Sequence, residues 1–355
     1  MKIGFCITSH GFGHAARAVA VMQALAKRES VEFVIATTVP KWFFSQSLQA
    51  PFNYHSILTD IGMVQLTGLE ENIPATAAAL DTFYPLTRSK IEACAAFFSQ
   101  CRMVICDIAP LGILAAKQAK IPSILVENFT WDWIYAAYEQ KSASLRSHID
   151  YLDHLFQQAD FHVQTEPVCL SIGCDCRVPP VARSIKASAP ALRSRFSQGS
   201  DKLVLVTMGG TNRDSFSSVG VRAKKGYSFV VTGNEGPTIN DGNICYLDRC
   251  SSVYHPDLVA AADIVVGKVG YSTLAEVYQA GSVFAYISRP YFPEAEVLCK
   301  FAAEHMASKQ ITREAFYSGR WAEELDDLIA LKGQAFFPVQ ENGAEHIADF
   351  LLRLA

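Results

Sequence analysis

The sequence has no long apolar stretch. No hydrophobic run reaches the roughly 18 residues that a membrane-spanning helix requires, so we expect no transmembrane segment. We also expect no secretory signal, because Met1–Phe5 already has the pattern of a core strand, and we therefore predict a cytoplasmic protein. The triplet Trp42-Phe43-Phe44 could touch a membrane surface, but such triplets more often pack inside a fold.

An excess of positive charge is missing as well. With 31 lysines and arginines against 35 acidic residues, the net charge of −4 offers no electrostatic reason to bind nucleic acid. Charged residues make up 19% of the chain and hydrophobic residues 50%, which excludes a largely disordered protein. The 355 residues suffice for two domains, each with its own core.

Paired cysteine ligands are absent too. Cys169, Cys174 and Cys176 cluster, but a zinc site normally uses two ligand pairs, and no second pair lies nearby. We therefore expect no metal. The other cysteines are mostly scattered through apolar segments, and without an export signal we expect them to be reduced and buried.

The stretch 263–276 combines a strand, a glycine turn and a helix start. Ile264–Val266 is an apolar run typical of a buried parallel strand, and Gly267 ends it. Free N–H groups and the dipole at the next helix N-terminus favour an anion, and glycine lets a phosphate approach. Glu276 lies on the same helix face as Thr273, where a carboxylate could accept ribose hydroxyls. The alternative is an ordinary βα turn, because the dipole alone favours an early acid. We predict a nucleotide-diphosphate site formed by Lys268, Gly270, Ser272, Thr273 and Glu276.

The first half of the chain opens with the same kind of elements. Lys2–Thr8 predicts a strand, Ala15–Lys27 an amphipathic helix and Val31–Thr37 a second strand, which make a βαβ unit of a parallel α/β sheet. The turn between the first strand and the helix contains Gly11 and Gly13. It departs from a dinucleotide-binding fingerprint, because Ala16 stands at the position of the third glycine. His14 lies at the helix N-terminus, where the dipole disfavours imidazolium and leaves a neutral base. A capping or core histidine is the alternative.

Two later strands of the first half end in notable residues. Asp107 follows the apolar run Met103–Cys106, at the strand end where parallel sheets place their ligands. Ile124–Glu127 leads into the aromatic segment 128–135, which either lines an acceptor cleft or packs a helix on the sheet.

The composition changes between the two halves. Residues 181–200 are rich in Ser, Ala and Arg, which predicts an interdomain linker. Leu203–Thr207 then restarts the pattern as a strand, followed by a second glycine turn, Met208–Thr211. We predict doubly wound domains at 1–180 and 201–336 that face a cleft, and a final helix within 337–355 that packs back on the first domain.

Four segments match the motifs of one family. They are GFGHAAR at 11–17, MGGT at 208–211, GKVGYSTLAE at 267–276 and ISRPYFPEAE at 287–296. The chain resembles the GT-B glycosyltransferases, in particular the branch of the peptidoglycan N-acetylglucosaminyltransferase and the UDP-glucuronosyltransferases. Segments 11–17 and 128–135 also resemble the glycosyltransferase-like N-terminal domain of plant arabinokinases. The resemblance covers nearly the whole chain and implies the GT-B fold of two Rossmann-like domains.

This resemblance implies a role for the predicted site residues. His14 would deprotonate the acceptor hydroxyl, with Asp107 orienting its ring. Glu276 would bind the donor ribose, and Lys268 would neutralise the departing diphosphate. The diphosphate would lie on the glycine-rich turns, at Gly13, Gly209, Gly210, Thr211, Lys268, Gly270, Ser272 and Thr273.

The expected activity is transfer of a hexosyl or N-acetylhexosaminyl group from a UDP-sugar to an acceptor hydroxyl. It needs no metal or other cofactor, since the nucleotide sugar is a substrate, and the family implies inversion. Glu294 and Glu296 stand where relatives carry an Asp-Gln or Glu-Gln donor-sugar motif. The resemblance therefore does not assign the identity of the donor sugar.

Two rival functions share these features. In a non-hydrolysing UDP-sugar 2-epimerase, Asp107, Glu294 and Glu296 would surround the sugar. The other rival is a non-catalytic module that binds a nucleotide sugar. Donor turnover separates the three: a transferase slowly hydrolyses its donor, an epimerase forms an isomeric UDP-sugar, and a binding module does neither.

Overall fold

The computed structural model describes residues 1–197, 199–209, 216–334 and 341–355. The chain divides into two compact units, each with a seven-stranded sheet. Unit 1 comprises Met1–Gln65, Glu71–Arg183 and Asn342–Ala355, and unit 2 comprises Leu66–Glu70 and Ser184–Glu341.

The described strands alternate with helices along most of the chain. In chain order the strands are β1 (Lys2–Ile7), β2 (Glu32–Thr37), β3 (Phe52–Ser56), β4 (Gln65–Thr67), β5 (Glu70–Glu71), β6 (Val104–Asp107), β7 (Ser123–Glu127), β8 (Phe161–Thr165), β9 (Cys176–Val178), β10 (Lys202–Thr207), β11 (Tyr227–Asn234), β12 (Ile239–Asp241), β13 (Ile244–Asp248), β14 (Ile264–Lys268), β15 (Val283–Ile287) and β16 (Ser308–Gln310).

The α-helices connect many of these strands, and one of them ends the chain. They are α1 (Gly13–Arg28), α2 (Lys41–Ser47), α3 (Ile73–Phe83), α4 (Arg88–Phe98), α5 (Pro110–Ala119), α6 (Trp131–Ala136), α7 (Leu145–Phe156), α8 (Ala189–Phe196), α9 (Val219–Ala223), α10 (His255–Ala261), α11 (Tyr271–Ala280), α12 (Pro293–His305), α13 (Arg313–Ser318), α14 (Leu325–Gln334) and α15 (Gly343–Leu354).

The sheet of unit 1 is parallel, as its buried apolar runs predict. Its order is β3-β2-β1-β6-β7-β8-β9, so the direction of chain progress reverses between β1 and β6. The turns after these two strands therefore diverge at a topological switch point, where open α/β sheets bind ligands. His14 follows β1, and Asp107 ends β6.

The sheet of unit 2 has the same design. Its order is β12-β13-β11-β10-β14-β15-β16, and every pairing is parallel except β12 with β13. The reversal lies between β10 and β14. The two predicted donor turns follow these strands and flank the switch point of unit 2.

The unit boundaries differ from the predicted linker. The division falls between Arg183 and Ser184, so most of residues 181–200 belongs to unit 2. Arg193 of α8 explains this, because its guanidinium donates to the Asp263 carboxylate (2.8 Å) and to the Ala261 carbonyl (2.9 Å). A composition that looked like a linker therefore includes a helix tied to unit 2.

Two further segments belong to a different unit from the residues beside them in the chain. The C-terminal helix α15 belongs to unit 1, where Arg28 of α1 pairs with Asp349 at 3.0 Å. Residues 66–70 belong to unit 2, and Leu69 is buried in its core. The sequence has no pattern that predicts the assignment of residues 66–70 to unit 2.

The aromatic triplet of α2 is mostly packed inside unit 1. Phe43 and Phe44 are buried, and Phe43 stacks on Phe12 with ring centres 5.1 Å apart. Trp42 alone keeps a partly exposed ring. In the part of the chain that the structure describes, no helix combines the length and apolarity that crossing a bilayer takes.

Candidate active site

The structure brings His14 and Asp107 together at the switch point of unit 1. His14 Nδ1 lies 2.9 Å from Asp107 Oδ1, and both side chains are buried. The His14 ring also meets the Phe129 ring edge-to-face, with centres 5.8 Å apart. A carboxylate on one side and an aromatic ring on the other fix the orientation of the imidazole.

A buried arginine completes this pair. Arg17 Nε and Nη2 donate to Asp107 Oδ2 (2.8 Å) and Oδ1 (2.7 Å) in a bidentate pair. Arg17 Nη1 donates to Asn128 Oδ1 (2.7 Å) and to Thr165 Oγ1 (3.3 Å). Since Asp107, Asn128 and Thr165 lie at the ends of β6, β7 and β8, one guanidinium joins three neighbouring strand ends.

This network sets the state of Asp107. Burial raises the pKa of its carboxyl, but the charge and hydrogen bonds of Arg17, together with His14, hold the pKa below its usual range. Asp107 is therefore a carboxylate that already has a cationic partner. It accepts from His14 and orients the ring, and it is not itself a base.

The hydrogen bonds also select the tautomer of His14. Asp107 Oδ1, 2.9 Å from Nδ1, can only accept, whereas Arg17 Nη2, 3.2 Å from Nδ1, can only donate and already donates to Asp107 Oδ1 at 2.7 Å. We therefore assign the proton to Nδ1, which places the lone pair of the neutral ring on Nε2. None of the described residues hydrogen-bonds Nε2. The arrangement can therefore take a proton from a hydroxyl that approaches Nε2.

The backbone turns sharply after Asp107. Ile108 has φ of +41°, in the left-handed region that a β-branched residue rarely enters. Such a residue typically costs about 1–3 kcal/mol and persists where the surroundings enforce it, often at functional sites. This turn lets β6 end with the Asp107 carboxylate directed at α1.

A second carboxyl lies beside the pair. Asp60, in the segment after β3, is buried, and its Oδ2 accepts from Trp131 Nε1 at 2.7 Å. Its Oδ1 has no hydrogen-bond partner among the described residues. Burial raises the pKa of Asp60 to about 7, against the lowering effects of polar contacts with Thr8 and Trp131.

The aromatic segment 128–135 packs against the sheet. Trp131 and Tyr135 are buried, and the Tyr135 hydroxyl donates to the Gly62 carbonyl at 2.9 Å. Of the two alternatives that the sequence left open, packing therefore describes these two rings. Trp133 keeps partial exposure.

We predict that Asp60→Asn stabilises the protein at alkaline pH. The pKa of Asp60 is near 3.9 in the unfolded chain and about 7 in the folded protein. Between these values the folded protein binds more protons than the unfolded chain, so the free energy of unfolding of the parent falls as pH rises. At 1.36 kcal/mol per pKa unit, the gain of the variant above pH 8 is on the order of 4 kcal/mol. Urea unfolding of parent and variant at pH 4.5 and pH 8.5 measures it.

The exposed Asp153→Asn serves as the matched control and should leave both midpoints unchanged. A variant no more stable than the parent at pH 8.5 would show that Asp60 ionises without penalty.

In unit 2 the two predicted turns lie side by side. β10 and β14 pair with Thr207 opposite Gly267, where a side chain at Gly267 would overlap the Thr207 carbonyl oxygen. Gly209 has φ of +68°, and a Cβ added there would lie 3.9 Å from Lys268 Nζ. The Lys268 ammonium therefore lies against the glycine backbone of the neighbouring turn. Gly210 and Thr211 lie outside the described residues.

The helix after β14 begins at Tyr271. Gly270 is the N-cap of α11, so the N–H groups at the start of this helix point out of its N-terminus. Ser272 lies in the first turn, Thr273 and Glu276 are buried, and Glu276 accepts from His255 Nδ1 at 2.8 Å. The carboxylate is thus held on the helix face predicted for the ribose.

The two predicted donor-sugar acids diverge. Both lie in the first turn of α12, where residues two apart project roughly 200° from each other. Glu294 is buried, whereas Glu296 is exposed. Gly13, the remaining predicted phosphate residue, is the first residue of α1 in unit 1.

Sequence reasoning missed three side chains of these sites. Arg17 had a signal, since it follows His14 by three residues and shares its helix face. His255 and Asp60 had none, because their contacts are to residues far along the chain.

Comparison with known proteins finds one curated relative over the full chain. L-arabinokinase of Arabidopsis thaliana is 25% identical over 365 residues, which cover 100% of this chain and 34% of that protein. The chain thus spans about a third of the length of the curated relative it matches. No protein-family description matches the chain.

Solved structures extend the likeness to the fold. The glycosyltransferase VinC in complex with dTDP has a TM-score of 0.62 at 15% identity, covering 100% of this chain and 99% of VinC. UGT2 of Phytolacca americana, complexed with UDP-2-fluoro-glucose and pterostilbene, has a TM-score of 0.58 at 15% identity, covering 99% of each chain. The two sheets, parallel except at the pairing of β12 with β13, and these neighbours confirm the predicted fold class: the chain has the GT-B fold of glycosyltransferases.

Proposed function

We propose that this protein transfers a sugar from a nucleoside-diphosphate donor to a hydroxyl acceptor. The contact of His14 Nδ1 with Asp107 carries the proposal, because it leaves Nε2 as a base oriented by a buried carboxylate. A fold shared with glycosyltransferases supports the reaction class.

The acceptor half of the reaction belongs to unit 1. His14 Nε2 takes the proton as the acceptor oxygen forms its bond to the anomeric carbon. The Asp107 carboxylate keeps the ring in the required tautomer and partly balances the imidazolium. A single in-line displacement inverts the anomeric carbon.

The donor half belongs to unit 2. As the bond between the anomeric carbon and the diphosphate oxygen breaks, its electron pair stays on the diphosphate. The Lys268 ammonium and the N–H groups that begin α11 stabilise that charge. Glu276 accepts the ribose hydroxyls, and UDP is the nucleotide we propose, with Glu294 beside the sugar.

The donor site is tested by Glu276→Ala. We expect UDP affinity to fall by roughly 1.5–3 kcal/mol, the range for hydrogen bonds to a charged group. Isothermal titration calorimetry of both proteins measures the difference. The matched control is Glu304→Ala, an exposed acid of α12 that should bind UDP like the parent. Equal affinity of Glu276→Ala and parent would sink the assignment.

The reaction class is tested by the products. Incubated with UDP-sugars but without an acceptor, the parent should slowly release UDP and free sugar. An isomeric UDP-sugar would instead establish an epimerase, and binding without turnover would establish a non-catalytic module.

A further inference from the structure

One histidine in unit 2 joins the two predicted donor turns. His255 is the first residue of α10, and its Nδ1 lies 2.8 Å from Glu276 Oε2 on α11. Its Nε2 lies 3.2 Å from the Thr207 hydroxyl, at the end of β10. The ring therefore spans from the first glycine turn to the carboxylate that follows the second.

The Glu276 carboxylate sets the direction of both hydrogen bonds of His255. Glu276 as a carboxylate can only accept, so His255 Nδ1 donates to it. In the neutral ring Nε2 is then the acceptor, and the Thr207 hydroxyl donates to it. Thr207, His255 and Glu276 form a continuous chain of donors that ends on the carboxylate.

Such a chain restricts how Glu276 can be used. A carboxylate has about four acceptor positions, and the Nδ1–H of His255 fixes one of them at Oε2. Glu276 and Thr207 are buried, whereas the His255 side chain is 27% exposed. A fixed, largely desolvated carboxylate discriminates strongly between a ligand that offers hydroxyls and one that does not.

We propose that His255 is the positioning residue that holds the Glu276 carboxylate for a ribose, so that the nucleotide is a ribonucleoside diphosphate recognised through its 2′ hydroxyl. This inference rests on the proposed nucleotide-sugar function. His255 acts through Glu276, and its effect is confined to ligands that carry the ribose hydroxyls.

The test compares three probes: UDP, 2′-deoxy-UDP and inorganic pyrophosphate. The parent should bind UDP about tenfold more tightly than 2′-deoxy-UDP, as one lost hydrogen bond to a charged group predicts. In His255→Ala this ratio should fall to about two, with pyrophosphate affinity unchanged. His255→Asn should retain most of the ratio, because its amide can donate from the position of Nδ1.

The controls separate positioning from folding. His305→Ala, an exposed histidine of α12, should keep the parental ratio, and melting temperatures report whether each variant is folded. Combined with Glu276→Ala, His255→Ala should cause no further loss for UDP, because both act through one carboxylate.

Each contrary result has its own meaning. A ratio that stays near ten in a folded His255→Ala, or an equal weakening of all three probes, overturns the positioning role and leaves the proposed function standing. A parent that binds no UDP overturns the proposed function and this inference with it.

Discussion

Alanine in place of His14 is expected to lower turnover by about a hundredfold or more, with donor affinity unchanged. The variant lacks the Nε2 lone pair that we propose as the proton acceptor, whereas the proposed donor residues Lys268 and Glu276 lie in unit 2. Turnover is measured as release of nucleoside diphosphate at saturating UDP-sugar with water as the acceptor, and affinity by calorimetry.

His154→Ala, an exposed histidine of α7, is the matched control and should turn over like the parent. If His14→Ala weakened donor binding and left turnover at saturation intact, His14 would be a phosphate or capping residue and the base would have to be sought elsewhere.

Methionine in place of Arg17 is expected to lower the free energy of unfolding by about 3–5 kcal/mol at neutral pH. The substitution leaves Asp107 as a buried charge without its bidentate partner. In the parent, the lowered pKa of Asp107 means that its stabilising effect is present above the unfolded pKa and is lost in acid. The deficit should therefore shrink as pH falls below about 4. Urea unfolding across this range measures it.

Two further variants sharpen the result. Arg17→Met combined with Asp107→Leu removes both charges and should recover much of the lost stability. Arg146→Met, an exposed arginine of α7, should change the midpoint little. A double variant as unstable as Arg17→Met would show that packing of the guanidinium, and not the ion pair, carries the effect.

The sequence by itself determined most of the elements and the strand ends at which the candidate site lies. Apolar runs such as Ile264–Val266 are typical of buried strands when glycine turns and amphipathic helices follow them, and that alternation predicts parallel sheets. His14 and Asp107 each follow such a run. Because the ligand edge of a parallel sheet collects the carboxyl ends of its strands, their proximity was predictable.

Only the tertiary structure decided which groups are partners and which are charged. Arg17 meets Asp107 across 90 residues of chain, and His255 meets Glu276 from a different helix, so neither contact has a local pattern. The raised pKa of Asp60 depends on the surrounding protein atoms that exclude water from its carboxyl group. Leu69 packs in the core of unit 2, and the composition around it does not predict this. Local periodicity encodes the side of an element that is buried. The desolvation of a side chain and its hydrogen-bond partners depend on which strands and helices are neighbours in the folded protein.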